Sequence, residues 1–156
     1  MDLIINQLKQ YIIYDIGSML RGINMVVTMY PKGYRSKVRI GVQELITNAI
    51  EHGVAGLGSK RKYELRNLGT DHYKDYLEQR LKESTNKKVD VKYEKNEMSV
   101  KLTISDYGQG FDWKDVLANE KIGNQKDGLG VLVSYTLFDE LNYNDIGNTV
   151  TAVVCK

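Results

Sequence analysis

The chain contains a single cysteine and a single proline in 156 residues. A lone Cys155 cannot close an internal disulfide, so the sequence predicts a fold held by packing and suited to a reducing, cytoplasmic setting. An excess of one charge sign is also missing. The 22 Lys and Arg stand against 20 Asp and Glu, a net charge of +2, which gives no broad field for gripping nucleic acid or an anionic membrane. No apolar run approaches the length of a membrane span. The start, MDLIINQLKQYII, has an acidic second residue and no basic region, so no signal peptide is expected. Low-complexity tracts and internal repeats are absent. Pro31 sits in PKGY and marks a connection rather than a linker.

What is there is an ordinary globular composition, 42% hydrophobic and 27% charged, at a length that suits one domain over 1–156 with its own core. Residues 9–15, KQYIIYD, read as a first strand. Residues 18–30 read as a helix with Ser18 as N-cap and Met19, Ile23, Val26 and Val27 on its core face. The firmest helical pattern is 35–52, where Val38, Val42, Leu45, Ile46, Ala49 and Ile50 recur on one side. Gly53 then suits the residue just past a helix end. Residues 54–70 are glycine-spaced and basic and read as a long loop. DHYKDYLEQRLKES offers an amphipathic helix with Tyr73, Tyr76, Leu77 and Leu81 on one side and Asp71 as its cap. The stretch 54–87 therefore looks like an insertion into a more compact plan.

Two alternating segments follow. Val89, Val91 and Tyr93 face one way in the first; Met98, Val100, Leu102 and Ile104 do so in the second, a sheet with one wet face. A polar loop covers 114–127, a helix 129–139, and two last strands, ELNYN and NTVTAVVC, flank a turn at 145–147. The sum is α/β: a two-layer sandwich with a mixed, mostly antiparallel sheet and helices on one face.

Three places invite chemistry. In ELITNAIEHG, Glu44, Asn48 and His52 form one stripe along the edge of the apolar helix face. A carboxylate and an amide oxygen one turn apart suit a hard cation that keeps waters and phosphates as its other ligands, with a carboxylate near enough to take a proton. Taken alone, the stripe reads first as a half-exposed polar flank, with His52 and Gly53 simply ending the helix favourably. Strand parity places Asp106 on the inner side with Leu102 and Ile104, at the start of DYGQG. A carboxylate turned inward needs donors, which a ligand amino group or the backbone amides of a strand-ending turn would supply. Gly108 and Gly110 permit a close approach of a flat ring. Finally, Gly128, Leu129 and Gly130 stand at a helix start, where free N–H groups favour phosphate. A glycine pair there is by itself more commonly simple capping.

In that order the three segments resemble the histidine-kinase-like ATPases, the superfamily of gyrase, MutL and the sensor kinases. ELITNAIEHG resembles their N box, DYGQG and GLGV their two glycine boxes, and DELNYNDIGNTVTAVV their closing strands. Within that superfamily the N-box glutamate and compact size resemble the anti-sigma-factor serine kinases. The resemblance implies the Bergerat ATP-binding fold, with ATP and Mg²⁺ as cofactors. It implies Glu44 as general base and Asn48 as Mg²⁺ ligand, with His52 in the same box. Asp106 would accept from the adenine amino group, and Gly108 and Gly110 would make room for the base. Gly128, Leu129 and Gly130 would donate to phosphates beneath a lid at about 111–127, and Thr149 would support the adenine contact. It further implies a protein partner, a sigma factor or an anti-sigma antagonist, and a homodimer built by the N-terminal part. Asp127 departs from the pattern, since these kinases often carry a basic residue there. That leaves two readings: a serine/threonine kinase of a partner-switching pathway, and an ATP- or ADP-dependent binding module without phosphotransfer.

Overall fold

The computed structural model describes residues 7–84, 88–114 and 129–156. Five strands form one sheet: β1 (Gln7–Ile13), β2 (Val89–Lys95), β3 (Ser99–Ser105), β4 (Glu140–Tyr143) and β5 (Thr149–Cys155). Their spatial order is β1-β2-β3-β5-β4. Every described pairing is antiparallel, so the expected mixture of strand directions is not found among the described residues. The helices are α1 (Ile16–Met29), α2 (Arg35–Asn48), α3 (Ser59–Leu68), α4 (Thr70–Glu83) and α5 (Leu129–Leu137). A π-helical turn, Ala49–Val54, extends α2. None of the described helices is long and apolar enough to cross a membrane.

Alternation fixes which face of the sheet is dry. Val91 stands opposite Ile104, Leu102 opposite Ala152 and Ile104 opposite Val150, and all of these are buried. Shifting any strand by one residue would turn that set to water. Against this face lie Val38, Val42, Leu45, Ile46 and Ile50 of α2 and its extension, all buried as their spacing predicts. The other face carries Lys92, Glu94 and Lys101, which are exposed. Met98 departs from its expected place: it is 77% exposed. It precedes β3 in a turn held by Asn96 Oδ1, which accepts from the Met98 and Ser99 N–H groups at 2.8 Å each.

Helix starts also differ from expectation, for reasons of capping. Asp15, not Ser18, caps α1. Asp15 Oδ1 accepts from the Ser18 N–H at 2.6 Å, and Ser18 Oγ accepts from the Asp15 N–H at 2.9 Å. This is a capping box with a serine where glutamate is usual, and these bonds hold the Asp15 carboxyl below its ordinary range. The N-cap of α4 is Gly69; Asp71 lies within the first turn, where it favours the helix dipole.

The stretch read as a loop contains α3. Its sequence lacks an apolar stripe, and among its described side chains Leu65 alone is buried, because α4 supplies what the stripe would. Arg66 stacks over Tyr73 at 5.2 Å and Arg61 over Tyr76 at 5.7 Å. Gly56 and Gly69, at φ +62° and +125°, turn the chain on either side of it.

Close contacts tie the helices to one another and to the sheet. A Cβ on Gly41 would lie 2.6 Å from the Phe138 ring, so α2 meets the chain just past α5 backbone to ring. Tyr30, 1% exposed, stands edge-on to Tyr93 at 5.7 Å. The Tyr93 hydroxyl donates to the Met29 carbonyl, whereas the Tyr30 hydroxyl is buried with no partner among the described residues. A desolvated hydroxyl of that kind costs free energy that a phenylalanine does not. Tyr30→Phe is therefore expected to raise stability by about 1 kcal/mol, read as a higher urea midpoint at unchanged slope; a lower midpoint would show that the hydroxyl is satisfied in solution.

Candidate functional site

The end of α2 and the end of β3 meet across a narrow cleft. Leu45, Asn48, Ala49, His52 and Gly53 line one side; Ile104, Asp106 and Val150 line the other. The helix reaches the cleft through a change of pitch. Its last turn runs from i to i+5, with the Ala55 N–H donating to the Ile50 carbonyl at 2.9 Å. Single π turns inside helices are often found at functional sites. Gly53 lies within this turn, not past a helix end, and its role is proximity. A Cβ there would fall 2.2 Å from Asp106 Cγ, so no larger residue lets the helix backbone lie against that carboxylate.

Asp106 follows β3 and continues its ladder, its N–H donating to the Asn148 carbonyl at 3.0 Å. The side chain is 7% exposed and faces the cleft, as strand parity requires. Its Oδ1 accepts from the Gly108 N–H at 2.7 Å, closing an Asx-type turn. Burial pushes the carboxyl up to about 6, opposed by that one N–H. A carboxylate has room for about four hydrogen bonds, so acceptor capacity is left over on the cleft side.

The turn that aims Asp106 inward strains its neighbour. Tyr107 adopts φ +60°, an uncommon conformation for a bulky residue. Its hydroxyl donates to Asp90 Oδ2 at 3.2 Å, and Gln10 Nε2 donates to both oxygens of Asp90 at 2.8 Å. Asp90's charge, with some burial, raises the Tyr107 hydroxyl.

The glycines expected to admit a flat ring are packed against backbone. A Cβ on Gly108 would lie 2.5 Å from the Gly53 carbonyl oxygen, and one on Gly110, at φ +78°, 1.7 Å from that of Ile146. Gly147, at φ +81°, is closed off in turn by the Phe111 carbonyl at 2.3 Å. The loop after β3 and the β4–β5 turn thus dock main chain to main chain. Rings gather at their edge: His52 stacks on Phe111 at 6.3 Å, and Phe111 meets Tyr143 edge-on at 5.2 Å. Phe111 also lines the open groove outside, with Trp113, Asp112 and Lys114.

Two expectations change here. Thr149 turns to the wet face, where its hydroxyl lies 3.2 Å from Ser105 Oγ. Asn148 lines the cleft instead, with Nδ2 donating to the Gly108 carbonyl at 3.0 Å. Parity carries this signal, because Val150, Ala152 and Val154 point inward and so must residue 148. Glu44 is half-buried on α2 one turn before Asn48 and is not among the residues lining the described cleft. Leu129 and Gly130 open α5; Gly128 and lid positions 115–127 lie outside the described residues. Phe111 and Tyr143 line the cleft although the motifs do not point to them; Glu51, next to His52 in sequence, is a carboxylate with no exposure.

Among the described residues no three His, Cys, Asp or Glu side chains cluster as a metal cage. Asn48, Asp106 and Asn148 bring side-chain oxygens to the cleft, and the Asn48 amide oxygen suits a cation that takes few protein ligands.

A carboxyl raised from about 3.8 to about 6 binds an extra proton in the folded state across that interval. Folding stability therefore falls as pH rises through 6, by about 2–3 kcal/mol at most. Asp106→Asn keeps an acceptor for Gly108 without the charge. Its melting temperature should exceed that of the parent by several degrees at pH 8, with the gap closing toward pH 4. A gap independent of pH would refute the buried charge.

The model of the histidine kinase-like ATPase domain matches residues 19–154. No curated protein matches the chain. The match spans most of the length and all of the elements that build the cleft, and the antiparallel sheet under a helical layer agrees with the ATP-binding fold it describes. The chain belongs to the histidine kinase-like ATPase domain family, which implies that it binds ATP.

Proposed function

We propose that the protein is an ATP-dependent serine/threonine kinase that phosphorylates an antagonist protein and so controls a sigma factor or similar regulator. The observation that carries the nucleotide part is Asp106: a carboxylate 7% exposed, lining a cleft, with one backbone donor and spare acceptor capacity. An adenine amino group supplies the missing donor, and a guanine carbonyl would repel the same carboxylate. Asn148 takes the supporting place expected of Thr149. The cleft is narrow, so a purine has to displace lining side chains. Phe111 borders both cleft and outer groove and is the ring best placed to yield.

In this reading Asn48 would hold Mg²⁺, which supplies charge neutralisation at the phosphates when bound. Leu129 and Gly130, which open α5, and Gly128 before them in sequence would donate N–H groups to the phosphates. Glu44, one helical turn back, accepts the proton of the attacking hydroxyl. Phosphoryl transfer asks for little more than such positioning. In this reading residues 54–87 are an insertion in a single domain, and the N-terminal part is available to a second copy. Asp127 beside Gly128 favours the alternative, a module that binds ATP or ADP and holds a partner without transfer, because an added negative charge opposes phosphate.

Calorimetry separates these. Asp106→Asn should remove detectable ATP binding, and the parent's affinity should weaken as pH drops through about 6, where the carboxylate is lost. Unchanged affinity in the variant rejects the pocket assignment. Glu44→Gln should keep ATP and lose phosphotransfer by about 10²–10⁴-fold toward the protein captured from native extract with ATP but not ADP. Binding without transfer in the parent establishes the module instead.

A further inference from the structure

The helical hairpin of α3 and α4 grips one short piece of backbone, and that piece is the wall of the base pocket. Glu51 lies on the π turn with no exposure. Its Oε2 takes Lys62 Nζ of α3 at 2.5 Å, and its Oε1 accepts from the Tyr73 hydroxyl of α4. A little further along, Arg80 Nε donates to the Ala55 carbonyl at 3.1 Å, and Ser84 Oγ to that of Val54 at 3.4 Å. These four side-chain contacts all end within residues 51–55. On its other side the same turn presents Gly53 to Asp106 and Gly108 with no space for a methyl group. The turn is therefore clamped between the hairpin and the carboxylate.

A buried ion pair contributes little net stability, since desolvation consumes most of the attraction. What two directional bonds from two different helices do supply is position. A slide of the turn toward Asp106 is blocked by contact. A slide away from it is opposed by the pull of Lys62 and Tyr73 on Glu51. We propose that Glu51 is a positioning residue for base recognition, which holds Gly53 against Asp106 through Lys62 and Tyr73, so that the α3–α4 hairpin sets the affinity and base preference of the nucleotide site. This rests on the nucleotide reading above. The hairpin and the base are then coupled in both directions. Whatever displaces the hairpin loosens the grip on adenine, and bound adenine resists that displacement.

The test uses the full chain and calorimetric titration with ATP and with GTP. Tyr73→Phe keeps the ring and loses the hydroxyl; Lys62→Met keeps the stem and loses the charge; Lys62→Arg restores it. Val27→Ala, in α1, serves as a control that lowers stability away from the turn. Tyr73→Phe and Lys62→Met should each weaken ATP binding about tenfold, the scale of a lost bond to a charged group, and narrow the preference for ATP over GTP. Lys62→Arg should stay near the parent, and Val27→Ala should leave base preference unchanged. If Lys62→Met does not fold, Tyr73→Phe carries the test. Folded Tyr73→Phe with parental affinity and base preference overturns the proposal, as does a Val27→Ala control with the same loss of preference. A parent chain that binds neither ATP nor ADP instead rejects the nucleotide reading itself.

Discussion

The contact between the Gly53 backbone and the Asp106 carboxylate holds the site together. There the helix layer meets the end of β3 with no side chain between the backbone and the carboxylate. A charge in that position is costly to keep from water, and among the described residues one backbone N–H offsets the cost. The surroundings are arranged to permit it: a helix that widens into a π turn, a glycine with no side chain in the way, and a tyrosine forced into a left-handed backbone. Local departures of this sort persist where the rest of the fold over-determines them, and they concentrate at functional sites.

Much of this is legible in residue order. The alternation in β3 puts Asp106 indoors because Val100, Leu102 and Ile104 leave no other parity. The helical recurrence of Val38, Val42, Leu45 and Ile46 defines α2, and its polar edge marks Asn48 and His52. Applied to β5, the same parity selects Asn148 over Thr149, since Val150 and Ala152 fix the inner side. The resemblance to a family motif, not the residues, points to the threonine.

Other features have no local signal. The helix α3 carries no apolar stripe, since its partners on α4 are tyrosine faces under arginines. A serine at the third position of α1 looks like a cap until the aspartate three residues earlier is seen to hold its N–H. Glycines signal freedom in a sequence, but here Gly53, Gly108 and Gly110 signal crowding, which only the opposing backbone reveals. Glu51 is invisible for a similar reason: its partners lie 11 and 22 residues away, on a segment that reads as an appendage.

The register of β1 has a kinetic corollary. Ile13 pairs with Val89 and Gln7 with Lys95, so the outer strand closes a loop that holds α1, α2 and the α3–α4 pair. Closing so long a loop carries an entropic penalty before any ladder forms. Helical hairpins assemble from neighbours and need no such closure. The α3–α4 unit thus has the means to form early and to shorten the effective tether between β1 and β2, in which case slow refolding of this chain would report strand docking at the sheet's edge rather than helix formation.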